Sequence, residues 1–270
     1  MRTRWIPAAT ALTVVLGVTG CGVERGAQPK SAPSASKAPQ DEPNGVEKLD
    51  GKSVIDRARE AIGAAQTMRR TYTPKEAASE KAPAYTSDVV MATGFGGCTV
   101  KYDFGERGRT EAMVLSDRRI WVRSDRTMLE RDHGADTAER FVGKYIADEI
   151  TDAFTYYKLL LPCDTEGLLG DPEEADSVRY TKQTPTTVRG VRVLPVELTT
   201  KDARSTVHVA LDGKPYPMRT TWSGAPYTLD YRFDEPFAPK APPTSQTVPM
   251  KEFAKAVGAE EEPHWEVGIG

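Results

Sequence analysis

From Cys98 onward apolar and polar residues alternate, with Cys98, Val100, Tyr102 and Phe104 separated by Thr99, Lys101 and Asp103. A period of two marks a strand covered on one face. Thr110 to Ser116 and Arg119 to Arg123 continue the pattern across an Asp117-Arg118 turn. Val178 to Thr187, Val191 to Thr200, Ser205 to Leu211, Met218 to Trp222 and Tyr227 to Phe233 take it up again later. Clear turns at Val188-Arg189-Gly190, Asp212-Gly213-Lys214 and Ser223-Gly224-Ala225 join these runs, which predicts an antiparallel meander rather than β-α-β units. Arg69 to Thr73 and Val89 to Ala92 read as two short strands on either side of a polar excursion at 74–88.

Three stretches carry a helical period instead. Behind Asp50, a plausible N-cap, Val54, Ala58, Ile62 and Ala65 predict a helix over 52–66. In residues 139–170, Phe141, Tyr145, Ile150, Phe154, Tyr157 and Leu161 fall near one stripe, followed by Leu168 and Leu169. That stripe predicts a helical insertion lying across one face of the sheet. Met250 to Val257 has the length and pattern of a short helix.

The N-terminus follows neither period. Arg2 and Arg4 precede an apolar run from Ile6 to Val18, too short to cross a bilayer of roughly 30 Å, and small residues lead to Cys21. This looks like a bacterial lipoprotein signal at 1–20, with Cys21 as the lipid-bearing residue of the mature chain. An ordinary secretory signal or a membrane anchor would need no Cys there. Two or more acyl chains on a diacylglyceryl-Cys would hold the protein on the outer face of the cytoplasmic membrane, where one chain binds only marginally. Residues 21–49 scatter Pro29, Pro33, Pro39 and Pro43 among Ala, Ser, Lys and Gln, which predicts a disordered tether reaching ~30 Å. One globular domain is expected over 50–240, then a Pro-rich, acidic tail over 241–270 that ends on Glu260-Glu261-Glu262-Pro263-His264-Trp265.

Charge and chemistry narrow the function classes. The formal net charge of −3 offers no basic stripe for nucleic acid. With Cys21 carrying lipid, Cys98 and Cys163 remain as an even pair in an oxidising compartment, where a disulfide between them is expected. Neither has a C-x-x-C partner or a His near it in sequence, as a redox or metal role would require. His133, His208 and His264 stand apart from one another, and G-x-S-x-G, H-E-x-x-H and P-loop motifs are lacking. The acidic run Asp171, Glu173, Glu174, Asp176 lacks the spacing and turn glycine of a Ca²⁺ loop. These features favour a non-catalytic protein without metal or cofactor.

At this point the chain resembles the actinobacterial LppX/LprAFG lipoproteins, which are related in fold to the lipoprotein carrier LolA. The resemblance covers roughly residues 50–240 and rests on the order of elements, on VIDRAREAIGAAQTM, and on TPTTVRGVRVLPVELTT followed by STVHVALDGKPYPMRTTWSG and YTLDYRFDEPF. It implies an α+β fold: a strongly curved antiparallel sheet, or half barrel, with helices on its concave side and an apolar cavity between them. The family uses that cavity for acyl chains, so a lipid or lipoglycan ligand is implied. Val100, Tyr102, Val114, Ile120, Val122, Ile150, Phe154, Tyr157, Leu161, Leu229 and Tyr231 are the candidate lining residues, and each of them would serve equally well as plain core. The expected helix 139–170 departs from a carrier's pattern in bearing Asp148, Glu149, Asp152 and Asp164, which leaves Pro162 and Leu159 to Leu161 as the apolar rim. The alternative is an envelope protein that binds another protein and no lipid.

Overall fold

The structure, a computed structural model, describes residues 42–74, 85–92, 96–115, 118–149, 163, 168–169, 177–225 and 227–259. Its first helix, α1 (Gly51–Gly63), starts where the Asp50 carboxylate accepts hydrogen bonds from the Ser53 backbone N–H at 3.0 Å and from its hydroxyl at 2.6 Å. Such a cap satisfies donors that the first turn leaves open. Val54, Ile55, Ala58, Ala61 and Ile62 form its buried stripe.

The strands are β1 (Thr67–Pro74), β2 (Thr86–Ala92), β3 (Cys98–Asp103), β4 (Arg109–Val114), β5 (Arg119–Ser124), β6 (Tyr145–Glu149), β7 (Arg179–Lys182), β8 (Thr186–Val188), β9 (Val191–Thr199), β10 (Arg204–Ala210), β11 (Pro217–Trp222), β12 (Tyr227–Phe233) and β13 (Thr247–Pro249). They form one open, strongly curved sheet in the order β13-β6-β5-β4-β3-β2-β1-β12-β11-β10-β9-β7, with β8 paired to β9. Every pairing is antiparallel except that of β13 with β6. The expected α+β class and curved antiparallel sheet are therefore present.

Several expectations need correction. The 139–170 stretch is not one helix: Phe141 ends a helix and Tyr145 begins β6, because Gly143 between them takes a φ of 78°. The remainder of that expected helix lies outside the described residues, apart from Cys163, Leu168 and Leu169. The charged segment around Asp125 and His133 forms two helices that the periodicity does not predict, α2 (Arg126–His133) and α3 (Ala135–Phe141). Val178 to Thr187 divides into β7 and β8. Packed residues also lie on either side of 50–240. The Asn44 side chain donates to Ala210 O at 2.8 Å and Val46 is 3% exposed, so the chain from residue 42 belongs to the domain. At the other end β13 and α4 (Met250–Val257) bury Val248, Met250, Phe253 and Ala254.

Residues 234–246 connect β12, in the middle of the sheet, to β13 at its edge, seven strand spacings away. Those spacings amount to about 34 Å. A polyproline-like chain covers roughly 40 Å over this many residues, which accounts for Pro236, Pro239, Pro242 and Pro243. Phe237, Pro239 and Pro242 are half-buried while their neighbours are exposed, so this strap turns alternate residues inward. It passes the β2–β3 turn at Gly97, where an added Cβ would lie 2.8 Å from Pro239 Cγ.

Paired residues of adjacent strands share a face, so the registers assign the two sides of the sheet. On the convex side one row reads His208, Arg219, Asp230, Thr71, Asp88, Lys101, Glu111, Arg123, Tyr145. Its charges neutralise one another. Arg219 holds Asp230 at 2.7 and 3.0 Å, Arg69 holds Asp88 at 2.8 and 2.7 Å, and Arg123 reaches Glu111 at 2.6 Å while its guanidinium lies over the Tyr145 ring. The other side is largely apolar, with Arg70 in its central row between Tyr231 and Val89, and it faces the helices.

Two predictions arise from local geometry. Gly108 has a φ of 103°, and an added Cβ would stand 2.6 Å from Asp125 Oδ1 and 2.7 Å from Met128 N, the pair that caps α2. Gly108→Ala should therefore lower the unfolding free energy by about 2 kcal/mol or more, read from the urea midpoint. His208 is half-buried in the convex row, and burial lowers its pKa below 6.5, with the nearby Arg219 adding to the effect and its backbone opposing it. The unfolded chain then binds the proton more readily, so the stability due to neutral His208 is present above pH 6.5 and is lost as pH falls below it. His208→Gln should flatten the melting temperature against pH on the acid side of neutrality; an unchanged slope would refute this assignment.

Candidate functional site

Among the described residues the helices cover the concave face at its two flanks. At one flank α1 packs Val54, Ile55, Ala58 and Ile62 on Leu194, Val196, Leu198, Val207 and Val209 of β9 and β10. At the other flank Leu129 of α2, Ala138 and Phe141 of α3, and Phe253 of α4 cover Ile146 and Val248 of β6 and β13. Between them β12, β1, β2 and β3 present Met68, Val89, Met91, Cys98, Val100, Tyr102 and Tyr231 as a separate apolar cluster that includes no residue of α1–α4. Cys163 and Leu168 abut it, and a disulfide joins Cys163 to Cys98. The structure thus contains the expected pairing of the two thiols.

At one end of this patch the strands close with aromatic residues. Phe104, Tyr102, Tyr85, Tyr72, Tyr227 and Trp222 follow one another ring to ring across β3, β2, β1, β12 and β11, with successive centroids 4.7 to 5.9 Å apart. All except Tyr102 are half-buried. Offset and tilted rings at this spacing attract beyond the area they bury. Burial raises the phenol pKa of Tyr72 and Tyr85, and carries that of Tyr102 to about 12. These three rings are therefore neutral phenols at physiological pH, apolar in body and polar at the tip.

The expected lining residues separate into three groups. Val100, Tyr102, Leu229 and Tyr231 meet in the central patch. Val114, Ile120 and Val122 are buried on the same face nearer the β6 flank, where Val114 pairs with Cys98 and Val122 with Ile146. Ile150, Phe154, Tyr157 and Leu161 lie outside the described residues, as do the expected rim at Leu159 to Pro162, Cys21 and Trp265. The sequence reading missed Tyr72, Tyr85, Phe104, Trp222 and Tyr227. Their signal was an aromatic residue at the turn end of each of five strands, visible only once those ends are aligned. His133 meets the Phe253 ring edge-on at the end of α2, far in the fold from the convex-face His208.

Arg189 fixes the backbone of this patch. In the tight β8–β9 turn its guanidinium donates to Tyr231 O at 2.6 Å and Met218 O at 3.4 Å, just past the last β11–β12 pair, Arg219 with Asp230. The side chain supplies donors to carbonyls that the ladder no longer serves, which holds β12 in register at Tyr231.

Among the described residues no helix is long and apolar enough to cross a membrane, and no three His, Cys, Asp or Glu side chains converge as metal ligands. No family model matches the sequence, and no curated protein does. Solved structures do match. The lipoprotein LppX of Mycobacterium tuberculosis is 12% identical over 69% of this chain and 96% of its own, with a TM-score of 0.41. LprF of Mycobacterium bovis is 12% identical over 73% and 97%, with a TM-score of 0.46. A LolA-superfamily protein of Nitrosomonas europaea is 14% identical over 68% and 92%, with a TM-score of 0.27. The chain is thus similar to solved LppX, LprF and LolA-like proteins, the group its sequence resembles, and the similarity is one of fold.

Proposed function

We propose that this protein is an extracytoplasmic lipoprotein, anchored through Cys21, that holds an acyl-chain-bearing envelope lipid against the centre of its concave sheet and catalyses no reaction. The observation that carries this reading is the central patch itself, lying between two helix-covered flanks and bordered by half-wet aromatic residues. Met68 and Met91 give it an unbranched, adaptable surface able to repack around a chain.

The test is native mass spectrometry with lipid extraction on the mature protein secreted from an actinobacterial host. A co-purifying mass that leaves in organic solvent and proves to be a defined lipid is the expected result. A bare protein mass that stays unchanged after incubation with envelope lipids would reject the reading in favour of a protein-binding role. Cys21→Ala should move the protein from the membrane fraction to the medium.

A further inference from the structure

Among the described residues three buried hydroxyls on the concave face lack a hydrogen-bond partner: Tyr180 Oη on the α1 flank, and Tyr231 Oη and Thr220 Oγ1 nearer the centre. Tyr231 is fully buried and Thr220 is 2% exposed, yet neither Tyr231 Oη nor Thr220 Oγ1 makes a hydrogen bond. Native folds rarely leave such groups unsatisfied, because a buried donor that has lost water and gained nothing is costly. Thr220 stands opposite Leu229 on β12, two residues before Tyr231, so both side chains point to the same face. Tyr231 belongs to the central cluster with Met68, Val89, Met91, Val100 and Tyr102, and Arg70 lies directly across from it on β1. Burial raises the Tyr231 phenol pKa, which keeps it a proton donor, and the neighbouring Thr220 hydroxyl and Arg70 oppose that shift.

We propose that Tyr231 and Thr220 are the polar contact for the lipid, donating together to the carbonyl oxygen of an ester- or amide-linked acyl chain. A carbonyl oxygen has two lone pairs and accepts from two donors, and it carries no charge that would have to be desolvated. An alkyl chain alone would leave both hydroxyls as they are, so the pair selects an acyl linkage over plain hydrocarbon. Arg189 holds the Tyr231 backbone from behind and so fixes the position of the phenol.

This inference rests on the acyl-chain reading and is tested so that the two fail separately. Binding to the mature protein is measured for phosphatidylglycerol with two ester-linked chains and for its dialkyl-ether analogue of equal chain length. The protein is expected to hold the ester lipid about tenfold more tightly, within the range of two neutral hydrogen bonds. Tyr231→Phe, which keeps the ring, and separately Thr220→Val should each reduce that preference, and the double variant should bind both lipids with the ether affinity. Equal affinity of the unchanged protein for the two lipids would overturn the inference and leave the acyl-chain reading standing. So would a preference that survives in the double variant, as it would if the hydroxyls served only a buried water. Binding of neither lipid overturns both. Thr220→Val supplies the answer should Tyr231→Phe not fold.

Discussion

Removing the Cys98–Cys163 disulfide by Ala at both positions is expected to lower the unfolding free energy by about 4 kcal/mol, the chain-entropy value for a closed loop of this length. The bond spans 65 residues and attaches Cys163 to the middle of the concave face, where Cys98 is 3% exposed and pairs with Met91 on one side and Val114 on the other. The stabilisation comes mostly from the unfolded chain, so urea titration should show a lower midpoint with a steeper slope as the unfolded state expands. Reductant should bring the unsubstituted protein to the same midpoint and leave the variant unmoved. A midpoint insensitive to reductant would contradict the pairing. Since the cross-link fastens to the patch proposed to hold lipid, reduction should also release bound lipid before the fold is lost.

The second large effect is expected at the opposite flank. Phe253→Ala should destabilise the domain by about 3–4 kcal/mol, the range for an aromatic side chain deleted from a packed core. Phe253 is 4% exposed, meets the Phe141 ring at 5.1 Å and shares its cluster with Leu129, Ile146, Val248 and Met250. Lys251→Ala on the exposed side of the same helix should change stability by less than about 0.5 kcal/mol. Chemical denaturation of the two variants separates packing from helix propensity, and equal small losses would mean that α4 does not hold the flank. The same comparison bears on where the domain stops, since cutting the chain at residue 240 would remove this whole cluster partner.

Much of this was legible in the sequence because it is local. Alternation at Cys98 to Phe104, the Asp50 cap and the Val188-Arg189-Gly190 turn each depend on residues within a few positions, and all lie where expected. The failures have physical causes as well. Phe141 and Tyr145 stand four apart, as on a helix, but Gly143 breaks the chain between them. Helices α2 and α3 bury only Met128, Leu129, Ala138 and Phe141 among many charged residues, too thin a stripe to distinguish from a polar loop. The Pro-rich stretch that opens the expected tail at 241 reads as chain end, and the service of 234–246 as a strap depends on the separation of β12 and β13 in the sheet, which is not a local property. The site divides in the same way. Val100, Tyr102, Leu229 and Tyr231, which pack in the central patch, lie in strands legible from alternation, whereas the aromatic border joins positions from 72 to 227 and exists only after pairing.

The order of strands also sets a timetable. β1 pairs on one side with β2, its neighbour in sequence, but its other partner is β12, with Met68 opposite Phe233, and β6 gains its outer neighbour only with Thr247 to Pro249. A chain that emerges from its N-terminus therefore carries two unfilled backbone edges until nearly all of the described sequence is out. Such distant pairings fold slowly, and open edges invite pairing with other chains. Interruption of synthesis between β6 and β13 should thus give aggregates and no smaller folded form, so the strap acts as the closing step of assembly.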